Sequence, residues 1–250
     1  MSTSSASAPA SGSESGSGPE SAARDARWPE RRLYRTAGLG GIIAVGAWLG
    51  QPVVVAVASA AAGDEFATMA LLQERPYSGV IEAVIFLGMA VGLFAFVRAS
   101  SRLVRRRTGP DELTWARVGE AFGYVGAAAW IGVASASLTP FTSVGLGLAE
   151  TLPDATSQMA VLYANAFLIT AFGLTGAIGL GGYAAFLATA GRRAGVIGWP
   201  VALIGFAATV ALAVPFFVPF SAPWGAVGVL TFVLVAGGAF LLRSRRPAVE

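Results

Sequence analysis

Long apolar runs, separated by short charged or proline-containing segments, make up most of the chain after about residue 35. Charged residues are absent from four stretches: Thr36 to Gly63, Ala121 to Ala149, Ala155 to Gly191, and Ala194 to Leu242. Each stretch exceeds the roughly 20 residues that a helix needs to cross a ~30 Å hydrocarbon core. The pattern therefore predicts an all-α fold, a polytopic membrane bundle of about six transmembrane helices.

Proline, glycine and arginine mark the ends of the predicted helices. These helices cover residues 35–62, 78–99, 113–138, 156–190, 196–214 and 224–242. Pro52 predicts a kink or a break in the first helix because proline has no amide donor. Pro200 falls in the first turn of the fifth helix, where proline is tolerated.

The segment before the first helix has a different composition. Residues 1–30 are mostly Ser, Ala, Gly, Pro and Glu, with arginines from Arg24 onward, and they show no apolar periodicity. Such a segment buries too little surface to offset the entropy of ordering, so we expect a disordered cytoplasmic tail. Residues 31–246 form the predicted transmembrane domain, and a short interfacial helix is expected at residues 66–72 in the first outer loop.

The basic residues set the expected orientation. All 17 are arginine, and they flank the apolar runs. With the N-terminus inside the cell and an even number of spans, only Arg75 lies outside, as the positive-inside rule requires. The prediction is therefore N-in and C-in, in a cell membrane that we expect to be a bacterial cytoplasmic membrane.

Charge and missing residue types exclude several functions. The net charge is +3, but the arginines are spread over helix ends rather than gathered on one face, so no nucleic-acid partner is expected. The chain contains no Cys, His or Lys. Thiolate nucleophiles, imidazole bases and Schiff-base cofactors are therefore impossible within it. We expect no enzyme activity, no catalytic residue, no cofactor and no metal.

Three charged residues fall within the predicted spans, namely Glu82, Arg117 and Glu120. Intramembrane charges are costly and are candidate functional positions. Glu120 follows Arg117 by three residues, the spacing of a same-face ion pair, so a structural salt bridge is the first interpretation. A role for Glu120 in binding a proton or a cation is the second.

Glu82 has no partner within its own predicted helix. The first interpretation is that its side chain reaches the outer interface or caps a neighbouring helix end. The second is a proton or solute site near Tyr77 or Tyr163. The two carboxylates are expected roughly 15 Å apart along the bilayer normal, too far for a paired acid and base. Asn165 beside Tyr163, with Gln158 two turns earlier, indicates hydrogen bonding between helices or contact with a substrate.

Glycines four residues apart predict close helix packing. The pairs are Gly46 with Gly50, Gly88 with Gly92, and Gly119 with Gly123, and the fourth helix adds Gly173, Gly176, Gly179, Gly181 and Gly182. Packing within the chain is the first interpretation of these positions. An interface with a second copy is the alternative.

Three stretches resemble a family of bacterial six-helix integral membrane proteins of unknown function. They are Arg35-Thr36-Ala37-Gly38, Gly79-Val80-Ile81-Glu82, and the region from Gly173 to Trp199 with its Arg192-Arg193 turn. The similarity covers most of Arg35 to Arg246. It implies a six-helix membrane fold, and it implies neither an activity nor a functional residue.

Three functional classes follow from these observations. The leading one is a multi-pass membrane protein without a catalytic centre, whose role is structural, sensory or partner-binding. Its expected partners are the lipid bilayer and a second copy of the chain or another membrane protein. The alternative is a small-solute or proton-coupled transporter that uses Glu82 or Glu120. An intramembrane enzyme is disfavoured by the missing residue types.

Overall fold

The chain is an all-helical bundle. The computed structural model describes residues 29–62, 77–109, 113–139, 151, 154–213 and 222–245. Its helices are α1 (Glu30–Ala62), α2 (Tyr77–Arg105), α3 (Leu113–Leu138), α4 (Ala155–Phe186), α5 (Trp199–Ala213) and α6 (Ala222–Ser244), and a π-helical turn (Leu187–Gly191) continues α4. These six helices confirm the predicted fold class within the described residues.

Five of the helices contain segments long and apolar enough to cross a membrane. The exception is α5, with 15 residues, which span only about 22 Å as a helix, less than the ~30 Å hydrocarbon core. It is shorter than its predicted range mainly because it begins at Trp199 rather than at residue 196, after the turn that contains Gly195. The membrane assignment therefore rests on α1, α2, α3, α4 and α6.

The helices form a ring in which each packs against its neighbours in sequence, and α6 closes the ring against α1. Polar contacts join the inner ends, by which we mean the arginine-rich ends predicted to be cytoplasmic. Arg31 at the start of α1 donates to the Ser244 carbonyl at the end of α6, at 2.8 Å. Arg107 after α2 pairs with Glu30. The start of α1 and the ends of α2 and α6, with their arginine clusters, therefore share one end of the bundle.

Local signals account for two of the boundaries. Asp154 caps α4, because its carboxylate accepts a hydrogen bond from the Ser157 amide at 2.7 Å. That bond also lowers the pKa of the Asp154 carboxyl from its ordinary value. Between the π turn and α5, Gly195 adopts φ +65°, a left-handed conformation that glycine adopts without a Cβ penalty.

Glycine permits the closest contacts between helices. A Cβ added at Gly92 on α2 would lie 2.6 Å from the Ala44 amide nitrogen and 2.7 Å from the Gly40 carbonyl oxygen on α1. A Cβ added at Gly179 on α4 would lie 2.5 Å from the Gly126 nitrogen on α3. Atoms this close would overlap, so both crossings require glycine.

Aromatic side chains fill the inner half of the bundle. Phe96 on α2 lies 6.1 Å from Tyr183 on α4 and 6.0 Å from Phe240 on α6, measured between ring centroids. Phe240 in turn lies 5.9 Å from Tyr34 on α1. These edge-on and tilted contacts, at favourable distances for aromatic pairs, connect four helices through a single buried cluster.

Several details differ from the sequence predictions. Helix α2 continues to Arg105 rather than ending at residue 99, because nothing between those positions breaks a helix and the arginine side chains can extend to the interface. Helix α1 passes through Pro52 without a break. Gly46, predicted to pack against a helix, faces outward, and a Cβ added there would meet no atom within 4 Å.

Other predictions fall outside the described residues. These predictions concern the expected disordered tail up to residue 28, the expected interfacial helix at residues 66–72 and most of the outer loop before α4. The positions of Glu82, Arg117, Glu120, Tyr163 and Asn165 are all described.

Replacing Gly92 and Gly46 with alanine compares the same substitution at a packed and an open position of neighbouring helices. Gly92→Ala should lower the free energy of unfolding by about 1–3 kcal/mol, the usual cost of overpacking. Gly46→Ala, which meets open space, should change it by no more than about 0.5 kcal/mol. Thermal or denaturant unfolding in detergent measures both. Equal effects of the two substitutions would contradict the α1–α2 crossing.

Candidate functional site

Glu120 is the centre of a polar cluster in the inner half of the bundle. It lies seven residues after the start of α3, about 10 Å along the helix axis from the inner end. Arg105 on α2 donates from Nη1 to Glu120 Oε2 at 2.5 Å, and Tyr124 one turn further along α3 donates its hydroxyl to Oε1 at 2.9 Å. The side-chain exposures of Arg105 and Glu120 are only 24% and 11%. One carboxylate oxygen is therefore engaged in a largely buried ion pair, and the other accepts the tyrosine hydrogen bond.

The expected partner of Glu120 was Arg117, and that prediction is wrong. Arg117 is exposed, and the ion pair that the structure describes for Glu120 is made with Arg105. Three-residue spacing places two side chains near the same face of a helix, but it does not decide whether that face meets a neighbouring helix. The extra length of α2 brings Arg105 to Glu120, while Arg117 points away.

A second polar cluster lies beside the first, because Ser101 precedes Arg105 by one turn on the same face of α2. The Tyr183 hydroxyl on α4 is 2.7 Å from Ser100 Oγ and 3.1 Å from Ser101 Oγ, and it donates to the Val97 carbonyl at 3.2 Å. Tyr183 and both serines are fully buried. These bonds satisfy polar groups that have no access to water, and they join α4 to α2 across the ring.

Glu82 lies near polar side chains of two other helices. Its half-buried carboxyl faces Gln51 on α1 and Ser137 on α3. The Ser137 hydroxyl is buried and makes no hydrogen bond to a described residue, so it approaches Glu82 without forming a bond in this arrangement. Sequence reasoning missed both neighbours, because a partner on another helix leaves no spacing signal.

The polar positions of α4 have a different environment. Tyr163 is 64% exposed, and Asn165 is half-buried with no hydrogen bond described. Neither joins Glu82 or Glu120 in a common cluster among the described contacts. The side chain of Gln158 and that of Tyr77 lie outside the described residues.

Arginines at the inner end also hold backbone groups in place. Arg243 at the end of α6 donates from Nη1 to the Gly195 and Val196 carbonyls, at 2.6 and 2.5 Å. Arg107 donates to the same Gly195 carbonyl at 3.4 Å. The turn before α5 is thus fixed by two guanidinium groups, which supply donors for its carbonyls.

The chemistry available to these clusters is limited. Where the structure describes the chain, no group of three acidic side chains converges as a metal site would require. The Glu120 cluster can hold charge but has both carboxylate oxygens occupied, whereas the Glu82 cluster has a hydroxyl without a partner. Comparison of the chain with protein-family models, curated proteins and solved structures found no match. The family resemblance of the sequence stays a prediction.

Arg105 and Glu120 can be tested with Arg117 as the control. Arg105→Gln should lower the free energy of unfolding by roughly 1–3 kcal/mol, because it leaves a buried carboxylate without its cation. Arg117→Gln, the same change at an exposed position, should cost less than about 0.5 kcal/mol.

The double variant Arg105→Gln, Glu120→Gln should be more stable than Arg105→Gln alone, because no unpaired charge remains. Unfolding of the wild-type protein, Arg105→Gln, Glu120→Gln and the double variant in detergent completes the cycle. A cost for Arg117→Gln as large as that for Arg105→Gln would argue against the assigned pair.

Proposed function

We propose that this chain is a non-catalytic multi-pass protein of a bacterial cytoplasmic membrane, with both termini inside, and that it acts by binding a membrane partner or a second copy of itself. The engagement of Glu120 is the observation that supports this most strongly. The most deeply placed acid of the inner half is neutralised by Arg105 and bonded by Tyr124. A carboxylate held in this way contributes to packing and is poorly suited to cycle a proton.

The composition supports the same proposal. The chain has no Cys, His or Lys, so thiolate and amine nucleophiles and imidazole general bases are missing. The described polar clusters consist of carboxylate, guanidinium, hydroxyl and amide groups, which suit helix packing and binding. Each described cluster joins two or three helices, as structural hydrogen bonds in membranes do.

The outer half of α4 is the surface that we assign to the partner. In the most apolar window of α4 only 11% of the residues are buried, against 33% to 50% in the other four spans. None of the described side chains at residues 156–171 is buried. Asn165 lies within this segment, and an asparagine at such a depth gains a hydrogen bond when a second helix docks.

One observation favours the transporter alternative at Glu82. The carboxyl lies next to Gln51 and the unbonded Ser137 hydroxyl, so three polar groups from three helices meet in the outer half. A proton or a small solute could bind at such a group of side chains. Glu120 offers no similar opening, so the alternative now rests on Glu82 alone.

A flux assay separates the two proposals. Proteoliposomes containing the protein and a pH-sensitive dye should show no proton flux above that of protein-free liposomes after a pH step. Glu82→Gln should unfold at nearly the same temperature as the wild-type protein, because the amide keeps the shape of the side chain. A wild-type flux that Glu82→Gln abolishes, and that Glu30→Gln at the exposed inner end leaves intact, would establish the carrier instead.

A further inference from the structure

A groove of about 740 Å³ opens on the inner half of α2, between α1 and α3. Its walls come from Leu33 and Thr36 on α1, Phe94, Ala95, Arg98, Ala99 and Arg102 on α2, and Tyr124 on α3. The α1–α2 crossing at Gly40 and Gly92 lies next to it, toward the membrane centre.

Charged and apolar groups occupy opposite ends of this groove. Arg98 is exposed at its inner part and lies seven residues before the end of α2, about 10 Å from that end. The sequence placed Arg98 at a helix end, but the longer α2 places it within the helix. No hydrogen bond or ion pair of Arg98 with another described residue is seen. Thr36 and Tyr124 add hydroxyl groups to the same part of the groove.

An exposed apolar stripe continues from the groove toward the membrane centre. Val91, Leu87 and Val84 follow Ala95 along one face of α2, at spacings of three and four residues, and are 67%, 42% and 62% exposed. Residues at this spacing lie one above another on a helix. The same helix face thus presents guanidinium groups near the inner surface and aliphatic side chains below them.

The neighbouring acid does not cancel this charge. Glu120 is the one carboxylate described in contact with Tyr124, and it is already paired with Arg105. Arg98, for which no acidic partner is described, therefore leaves positive charge in the groove. Guanidinium groups bind phosphate through paired hydrogen bonds, and basic pockets between transmembrane helices on the cytoplasmic side suit lipid headgroups.

We propose that this groove binds one anionic phospholipid of the inner leaflet, with its phosphate at Arg98 and an acyl chain along Ala95, Val91 and Leu87. The headgroup would accept hydrogen bonds from the Arg98 guanidinium and the Thr36 hydroxyl. Phe94 and Tyr124, whose ring centroids lie 5.9 Å apart, form the wall beside the glycerol region. The proposal does not depend on whether the protein binds a partner at α4.

Lipid-dependent thermal stability of the full chain in neutral detergent tests the proposal. Phosphatidylglycerol should raise the unfolding temperature more than phosphatidylcholine with the same acyl chains, because a bound ligand stabilises the folded state. Arg98→Gln should weaken the apparent affinity for phosphatidylglycerol about tenfold or more, the loss expected for a charge-assisted hydrogen bond. Arg98→Lys should keep a preference for the anionic lipid at reduced affinity.

Arg117→Gln is the matched control, since it removes an exposed arginine near the same end of the bundle but outside the groove. It should leave the phosphatidylglycerol affinity within about twofold of the wild-type value, a difference below about 0.5 kcal/mol. An equal loss in Arg98→Gln and Arg117→Gln would show a diffuse surface charge and overturn the proposal. Equal stabilisation by the two lipids, or by inorganic phosphate in place of lipid, would also overturn it.

Discussion

Close backbone contact at glycine is the constraint on which the rest of this bundle depends. In a bilayer the lipid tails are as apolar as leucine, so exclusion from water does not drive one helix onto another. Contact energy must come from short-range packing, which requires small residues at the crossings. At Gly92 against Gly40, and at Gly179 against Gly126, a single added methyl group would overlap with backbone atoms. The first crossing sets the position of α2, with its polar groups, against α1, and the second sets the position of α4 against α3.

The polar clusters use the proximity that the glycines create. Tyr183 reaches Ser100 and Ser101 across the ring, and Arg105 reaches Glu120 from the neighbouring helix. Both clusters lie toward the inner ends, where arginines also bind the carbonyls of the turn before α5. We therefore propose two roles for arginine in this chain. Its charge is predicted to direct topology, and its side chains supply hydrogen-bond donors to helix ends and loops. We propose that function belongs to two surfaces that the internal clusters leave open, the outer half of α4 and the groove at Arg98.

Helix positions were predictable from sequence because apolar runs and prolines act locally. The third helix, Leu113–Leu138, agrees with its predicted range, and the others differ mainly at their ends. Contacts between helices were less predictable. The pairing of Arg117 with Glu120 was wrong, and Gly46 faces open space, because spacing shows which residues share a face and not what that face meets. The neighbours of Glu82 on α1 and α3 gave no local signal for the same reason.

Disulfide cross-linking tests the arrangement of helices most directly, because the chain contains no cysteine of its own. A Cβ added at Gly88 on α2 would lie 3.6 Å from the Ala47 Cβ on α1, close to the ~3.8 Å typical of disulfides. In membranes treated with a mild oxidant, the pair Ala47→Cys and Gly88→Cys should cross-link rapidly and nearly completely. The pair Gly46→Cys and Gly88→Cys, shifted by one residue to the open face of α1, should remain reduced under the same conditions. Equal cross-linking of both pairs, or cross-linking of the second pair alone, would contradict the glycine-dependent crossing on which this account rests.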